Sequence, residues 1–154
     1  MIEVREHDFD IGIEYDNIRK LSGDAGAIVT FCGLVREFCS NETESDQSIR
    51  SLLLECYPGM TEKSLQKIEL DARRRWDLLE VRIIHRIGLL KPKDQIVFVG
   101  TASAHRISAF ESAMFIMDFL KSNAPFWKKE NGKTESKWVQ ARDVDAKALQ
   151  RWSV

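Results

Sequence analysis

Hydrophobic side chains recur along this chain at two spacings, and each spacing predicts a different kind of element. Between Asp10 and Leu21 apolar residues return about once per helical turn, which predicts a short first helix. The apolar runs at 27–31 and 51–57 are typical of β-strands, and the polar segment at about 37–50 predicts a flexible, exposed loop between them. The first third of the chain is therefore expected to mix helix and strand.

The middle of the chain predicts a helix followed by a hairpin. Thr61 is the predicted N-cap of this helix, whose apolar face carries Leu65, Ile68, Ala72 and Trp76. Apolar residues alternate over 81–87, and a second apolar run follows at 95–100. The turn-rich segment between the two runs predicts that they pair as antiparallel strands.

A long uninterrupted helix is predicted after the hairpin. Ser103 is its predicted N-cap, and neither Gly nor Pro occurs from Ala104 to Ser122. The pattern predicts that one stripe of this helix faces the core, namely Phe110, Met114, Met117 and Leu120. The tail beyond it has a strand-like segment at 137–141 and three tryptophans that need the domain or a second subunit to pack on: Trp127, Trp138 and Trp152.

Composition narrows the class of protein. A length of 154 residues with 44% hydrophobic content predicts one domain, 1–154, with a single core. A net charge of −1 argues against general binding to nucleic acid or to an anionic membrane. No apolar run approaches the roughly 20 residues of a membrane span, and the amino terminus lacks a signal-peptide core, so a cytoplasmic protein is expected.

The cysteines and the missing motifs favour chemistry without a metal or a cofactor. Cys32, Cys39 and Cys56 are odd in number and lack metal-ligand spacing, which favours reduced thiols over disulfides or a zinc site. The sequence has no glycine-rich phosphate loop and no nucleophile elbow. His85 is expected to be a core histidine on the apolar face of a strand.

Positive side chains are concentrated around the two ends of the long helix. His105 and Arg106 in its first turn add donors to the unpaired amides and positive dipole of a helix N-terminus, which suits a small anion. Lys121 and Lys128 flank an apolar turn predicted at 125–127, where partial burial would lower a lysine pKa toward the range useful for proton transfer. The expected ligand is therefore small and anionic.

A further cation, Arg36, follows a predicted strand that ends at a glycine. Its guanidinium can bind a phosphate or carboxylate through two parallel hydrogen bonds.

Two other functions remain open from the residues alone. A non-catalytic module that binds a small phosphorylated ligand would use the same cations. An RNA-contacting module could use the three arginines 73–75 beside Trp76. Consecutive helical residues splay by about 100°, so a solvated helix face is favoured for that triplet.

Several segments, which follow one another in the family's order along the chain, resemble the catalytic (large) subunit of molybdopterin synthase. The match runs from about Gly26 to Trp152, and its motifs are Phe31–Arg36, Glu55–Met60, Ile84–Gly88, Ser103–Arg106 and Lys121–Glu130. The resemblance implies an α+β, α/β hammerhead-like fold, in which an antiparallel sheet with packed helices carries a small additional β subdomain. It also implies a sulfurtransferase that adds two sulfurs to cyclic pyranopterin monophosphate and so forms the dithiolene of molybdopterin.

The resemblance implies partners as well. Members of this family work as a homodimer capped by two small ubiquitin-like sulfur-carrier subunits that end in Gly-Gly, which makes a heterotetramer. The carrier's C-terminal thiocarboxylate is already anionic and nucleophilic, so the enzyme needs no cysteine and no strong base of its own. No cofactor is expected.

Carried over position by position, the resemblance makes Lys121 and Lys128 the catalytic lysines. The substrate pocket that it implies consists of Arg36, His105, Arg106, Lys121, Lys128, Leu34, Val35, Lys129, Glu130 and Arg142. A single continuous helix would hold His105 and Lys121 about 24 Å apart, too far for one small substrate. The resulting hypothesis is that each pocket is shared, with His105 and Arg106 supplied by the second subunit of the dimer.

Overall fold

Three helices and eight strands account for most of the described chain. The computed structural model describes residues 1–36, 51–131, 136–139 and 148–152, so the predicted loop at 37–50 and Arg142 lie outside the described residues. The helices are α1 (Ile11–Leu21), α2 (Met60–Arg75) and α3 (Arg106–Asn123). The strands are β1 (Ile2–Arg5), β2 (Ala27–Leu34), β3 (Ser51–Cys56), β4 (Glu80–Arg86), β5 (Gly88–Leu90), β6 (Gln95–Ser103), β7 (Phe126–Asn131) and β8 (Ser136–Val139).

The strands form two four-stranded sheets. The first sheet has the order β1-β4-β6-β2, in which β1 runs parallel to β4 and the other pairs are antiparallel. The second, smaller sheet has the order β5-β3-β7-β8 and is antiparallel throughout. The predicted α+β fold with an additional β subdomain is confirmed. The predicted hairpin is also confirmed as the β4–β6 pair, and its connection contributes β5 to the second sheet.

Both faces of the first sheet are covered. On one face, α2 and α3 pack on the sheet in a cluster that includes Leu65, Val81, Ile83, Val99, Phe115 and Ile116. On the other face, Ile18 of α1 packs against Ile84 and Phe98. Arg82 points to this second face, where it is buried and pairs with Glu14 of α1 at 2.8 Å. Since both faces are covered, β4 is buried from Val81 to Ile84 rather than at every second residue.

The two predicted N-caps were wrong because both hydroxyls are used elsewhere in the fold. Helix α2 begins at Met60 after Gly59, and the buried Thr61 donates its hydroxyl proton to the carbonyl of Pro125 at 3.3 Å. Helix α3 begins at Arg106 with His105 as its N-cap. Ser103 instead ends β6, and its hydroxyl donates to the carbonyl of Asp77 at 2.8 Å.

The predicted core stripe of α3 was also partly wrong. Leu120 is buried and Met117 is partly buried against the core, but Phe110 and Met114 are 59% and 47% exposed. The buried face of the helix is a different one, formed by Ala109, Ser112, Ala113, Phe115, Ile116 and Leu120. Small residues on that face let the helix approach β6 closely, and the Thr101 hydroxyl donates to the Ala109 carbonyl at 2.7 Å.

The tail returns to the body of the domain. The predicted apolar turn at 125–127 was wrong for its last two residues, which begin β7 and pair with β3. The strand predicted at 137–141 is confirmed as far as Val139, and 140–141 lie outside the described residues. Trp152 packs edge-on against Trp76 and Phe115. None of the helices in the described ranges is long and apolar enough to cross a membrane.

Candidate functional site

Lys121 and Lys128 lie on the two sides of one fixed corner of the fold. Lys121 is in the last turn of α3, and the chain then turns through Pro125 into β7. Two hydrogen bonds hold this corner, one from the Phe126 amide to the Ala124 carbonyl at 2.8 Å and one from the Thr61 hydroxyl to the Pro125 carbonyl. Both lysines are exposed in the single chain. The partly dry setting predicted for them is therefore not supplied by this chain alone.

The alternation of β7 separates Lys128 from Lys129. Lys128 is paired in register with Leu54, so it shares the sheet face on which Leu54 is buried. Lys129 points to the opposite face, where its ammonium lies 5.7 Å from the ring centre of Trp138. Glu130 shares the Lys128 face, because residues two apart on a strand point the same way. The fold therefore separates Lys129 from the other predicted cations.

Arg36 enters the same region from the end of β2. The preceding Val35 is buried in a cluster with Leu52, Leu54 and Leu90 of the second sheet. Both backbone groups of Val35 are hydrogen-bonded. The Val35 amide donates to the Asp94 carbonyl at 2.9 Å, and the Val35 carbonyl accepts from the Lys93 amide at 2.8 Å. Arg36 is exposed directly after this anchor. Val35 thus works as a packing residue, and the structure brings Arg36 to the sheet that carries Lys128.

Leu34 lies where the regular pairing of β2 is interrupted. A register shift against β6 occurs between Gly33 and Leu34, and the Leu34 side chain is 54% exposed. A β-carbon on Gly33 would lie 2.7 Å from the side chain of Val97, so that glycine is required by close packing. The irregularity leaves Leu34 on the surface beside Arg36, where a large ligand could touch it.

His105 and Arg106 are at the opposite end of the molecule from the lysines. Helix α3 is continuous over 18 residues, so Arg106 and Lys121 are about 22 Å apart along its axis. The strand pairing leads to the same conclusion. Ser103 pairs with Ala27 at the start of β2, whereas Arg36 follows the far end of that strand. A single chain therefore has Arg36, Lys121 and Lys128 at one end of the fold, and His105 and Arg106 at the other.

The N-terminus of α3 is nevertheless suited to an anion. His105 is extended, with φ −125° and ψ 140°, and its side chain makes no capping hydrogen bond. The first turn has no acidic residue, and both His105 and Arg106 are exposed. Unpaired amides, the positive end of the helix dipole and a guanidinium are therefore available at one place.

His85 is connected to the site in a way that the sequence did not indicate. It is mostly buried, as expected for a core histidine, and its ring stacks on Phe126 with centres 3.7 Å apart and planes inclined by 16°. Burial lowers the pKa of His85 to about 4, and the nearby charge of Lys128 acts in the same direction. The ring is therefore neutral at physiological pH. Residues 85 and 126 lie on different sheets, and sequence spacing carries no signal for such a contact.

The thiols are unsuited to act as nucleophiles. Burial raises the pKa of Cys32, and the charge of Asp8 adds to this effect. Burial also raises the pKa of Cys56, with a contribution from Glu62. Both thiols therefore remain protonated near neutral pH. Cys39 lies outside the described residues, and within the described ranges no three acidic, His or Cys side chains are grouped to hold a metal ion.

Comparison with known proteins identifies the family. The sequence profile described as MoaE protein matches residues 4–123, and the molybdopterin synthase catalytic subunit of Escherichia coli is 51% identical over 151 residues, covering 98% of this chain and 97% of that protein. The chain belongs to the MoaE family. The family predicted from the sequence motifs is therefore confirmed.

Solved structures of MoaE proteins agree with this fold. Molybdopterin cofactor biosynthesis protein E of Burkholderia multivorans superposes with a TM-score of 0.83 at 45% identity, covering 100% of this chain and 97% of that one. Molybdopterin synthase of Staphylococcus aureus superposes with a TM-score of 0.78 at 29% identity, covering 90% and 96%. As a MoaE protein, the chain is a sulfur-transferring enzyme of molybdenum cofactor biosynthesis, as its sequence predicted.

Proposed function

We propose that this MoaE chain transfers two sulfurs from the C-terminal thiocarboxylate of a small ubiquitin-like carrier to cyclic pyranopterin monophosphate. The product is the dithiolene of molybdopterin. The carrier ends in Gly-Gly, and two carriers cap a homodimer of this chain to form a heterotetramer that works in the cytoplasm. The observation that carries the proposal is the fixed corner at Pro125, which presents Lys121 and Lys128 on either side while Arg36 approaches from β2.

The chemistry needs positive charge more than it needs a nucleophile. The thiocarboxylate sulfur attacks a ring-side carbon of the precursor, a C–S bond forms, and a C–O bond breaks. Lys121 donates the proton to the oxygen that leaves. The carrier is then attached through a thioester, and water hydrolyses its acyl C–S bond, which leaves the sulfur on the pterin and releases the carrier as a carboxylate. A second thiocarboxylated carrier adds the other sulfur by the same two steps. Lys128 and Arg36 hold the phosphate and the thiocarboxylate together, which lowers the entropic cost of bringing two anions into contact. The raised thiol pKa values fit a route in which sulfur never passes through a cysteine of this chain.

A partner must cover the lysines for this chemistry to work well. Lys121 and Lys128 are exposed in the single chain, and water weakens the electrostatic stabilisation that they provide. An extended Gly-Gly tail is narrow enough to lie along such a site and can bind through its backbone groups. The carrier and a second copy of the chain together would exclude the water.

The second copy has a surface on which to dock. Ile107, Phe110 and Met114 form an exposed apolar stripe, with exposures of 63%, 59% and 47%. Their spacing puts them on one face of α3, and Lys121, two turns beyond Met114, lies on the same face. An apolar stripe that ends in a functional lysine indicates an interface that is part of the site.

A two-fold axis near Met114 would complete the pocket. Two α3 helices that cross this axis antiparallel place residues equally distant from position 114 opposite each other. Lys121 is seven residues after Met114, and Arg106 is eight residues before it. Arg106 of the partner subunit would therefore lie beside Lys121, with His105 of the partner subunit next to it. Each dimer then has two equivalent pockets, and each pocket has cations from both chains.

The remaining predicted pocket residues have smaller parts in this arrangement. Glu130 shares the face of Lys128 and can orient it or the substrate. Leu34 offers an exposed apolar contact beside Arg36. Val35 anchors Arg36 through its buried side chain, and Lys129 belongs to the opposite face of β7. Arg142 stays a prediction from the resemblance alone.

The test is to mix the purified chain with thiocarboxylated carrier and the pyranopterin precursor, and to follow the product by mass spectrometry. A product with two added sulfurs supports the proposal. Binding of the precursor without any sulfur in a product would instead make the chain a binding module for a small phosphorylated ligand. Omitting the carrier provides the control, because product without it would mean that the sulfur comes from elsewhere.

A further inference from the structure

The contact between His85 and Phe126 joins the two sheets next to Lys128. His85 is near the end of β4 in the first sheet, and Phe126 begins β7 in the second. Their rings lie nearly parallel at 3.7 Å. Lys128 is two residues beyond Phe126 on the same face of the strand, so the stack lies on the side of the strand to which the Lys128 side chain points.

A hydrogen bond fixes the chemical form of the imidazole. Nδ1 of His85 lies 2.8 Å from the carbonyl oxygen of Arg86. A carbonyl oxygen can only accept, so Nδ1 carries the proton and donates it. In a neutral ring the other nitrogen, Nε2, then has a free lone pair and is an acceptor. The fold thus holds one tautomer and one ring plane at this position.

Arg86, whose carbonyl accepts this bond, is itself tied to neighbouring segments by its side chain. The Arg86 guanidinium donates to the carbonyl of Gln95 at 2.9 Å and to the carbonyl of Glu6 at 3.2 Å. These bonds tie the end of β4 to its neighbours. The hydrogen-bonded side of the imidazole is therefore anchored in the first sheet, and its face is anchored on the second.

We propose that His85 is a positioning residue for Lys128, to whose ammonium group it presents the acceptor nitrogen of a fixed, neutral imidazole. An ammonium that is held in this way keeps one direction toward the substrate and does not meet a second positive charge. Burial is the main cause of the lowered pKa of His85, and the nearby charge of Lys128 adds to it, which supports the closeness of the two groups. This inference rests on the proposed role of Lys128 in sulfur transfer.

The alternative is that His85 only fills space, and two substitutions separate the two roles. H85F keeps an aromatic ring for the stack but has no acceptor. H85Q loses the ring but places an amide oxygen near the position of Nε2. If His85 positions Lys128, kcat for sulfur transfer falls tenfold or more in H85F. In H85Q, kcat is at least threefold higher than in H85F. KM changes less than threefold in both variants. If His85 only packs, H85F keeps the parental kcat and H85Q is the weaker enzyme, which overturns the proposal.

The assay uses the full chain with thiocarboxylated carrier and precursor, and thermal unfolding verifies the fold of each variant. H85F is also combined with K128A: if His85 acts through Lys128, the loss in kcat caused by H85F disappears in the K128A background, and a loss that persists there undiminished would overturn the proposal. H7F replaces an exposed histidine and should match the parent. Should H85F fail to fold, H85Q is compared with H85M, which has similar length but no amide, and equal kcat values would overturn the proposal.

The K128A chain separates this inference from the function on which it rests. Parental activity in K128A would remove Lys128 from the mechanism and with it the proposed function of that residue. A strong loss in K128A together with parental activity in H85F would leave the function of Lys128 standing and would refute only the positioning role of His85.

Discussion

The two ends of α3 carry similar charges in very different surroundings. At its C-terminal end, Lys121 lies beside a corner that is fixed by hydrogen bonds and by the stacking of Phe126 on His85. At its N-terminal end, His105 and Arg106 are exposed, and the N-cap His105 makes no side-chain capping hydrogen bond. The fold holds one end in place and leaves the other exposed. In the proposed dimer, half of the pocket is therefore preorganised within one chain, and the partner subunit supplies the other half.

Removing the lysine at the C-terminal end of α3 should have the largest effect. K121A is expected to lower the rate of dithiolene formation on the order of 100-fold or more, because the leaving oxygen loses its proton donor. The fold should not change, since the side chain is exposed. Product formation measured by mass, together with thermal unfolding, checks both statements. The matched control is K20A, which removes an exposed lysine from the last turn of α1. Activity of K121A within a few-fold of the parent would break the assignment of this end as catalytic.

A charge in the middle of α3 should break the link between its two ends. M114E would place two carboxylates next to each other at the proposed two-fold axis, so the dimer is expected to dissociate and activity to fall with it. Light scattering measures the oligomeric state, and unfolding by denaturant should be nearly unchanged because Met114 is 47% exposed. L70E adds the same charge at an exposed leucine of α2 and should leave the dimer intact. A dimeric, active M114E chain would contradict the proposed interface.

Low pH should destabilise the folded chain through His85, which packs beside the C-terminal end of α3. The pKa of this histidine is lowered to about 4 in the folded chain, so below pH 6.5 the unfolded chain binds a proton that the folded chain does not. The free energy of unfolding is therefore expected to fall by about 3 kcal/mol as pH decreases from 6.5 to 4, from this group alone. Denaturant unfolding as a function of pH measures the slope. H85F should lose this part of the slope and H7F should keep it, whereas equal slopes for H85F and the parent would contradict the burial of a neutral ring.

The thiols should matter least. Replacing Cys32, Cys39 and Cys56 together by serine is expected to leave the rate of sulfur transfer within about twofold of the parent, because the carrier supplies the nucleophile and burial raises the pKa of Cys32 and Cys56. A stability cost of about 1 kcal/mol is expected from the partly buried positions, and thermal unfolding measures it. A folded but inactive triple variant would mean that sulfur passes through a thiol of this chain.

The sequence predicted the elements and the family better than it predicted the contacts between elements. Hydrophobic spacing identified α1, β2, β3, the β4–β6 pair and the long helix α3. It did not identify which apolar face of α3 meets the core, because Ala109 and Ala113 make closer contact with the sheet than Phe110 or Met114 could. Local capping rules failed at Thr61 and Ser103 for a similar reason. Their hydroxyls bond to distant carbonyls, and no local pattern reports such partners.

The candidate site shows the same division. The sequence motifs identified the correct family and pointed to Arg36, Lys121 and Lys128 as pocket residues. The fold has these three residues at one end. The role of His85 was out of reach, because it depends on a stack with Phe126 across two sheets. The separation of His105 from Lys121 was foreseen from helix geometry, and the continuous α3 agrees with it.

The central claim, that each pocket uses both ends of α3 from different chains, is tested most directly by subunit exchange. R106A and K121A chains, each inactive alone, are mixed and allowed to exchange, and exchange is verified by mass. Half of the random dimers are mixed, and each has one intact and one doubly damaged pocket, so about a quarter of the parental activity should return. If verified exchange restores no activity, the whole pocket lies within one chain, and the account given for the two ends of α3 is wrong.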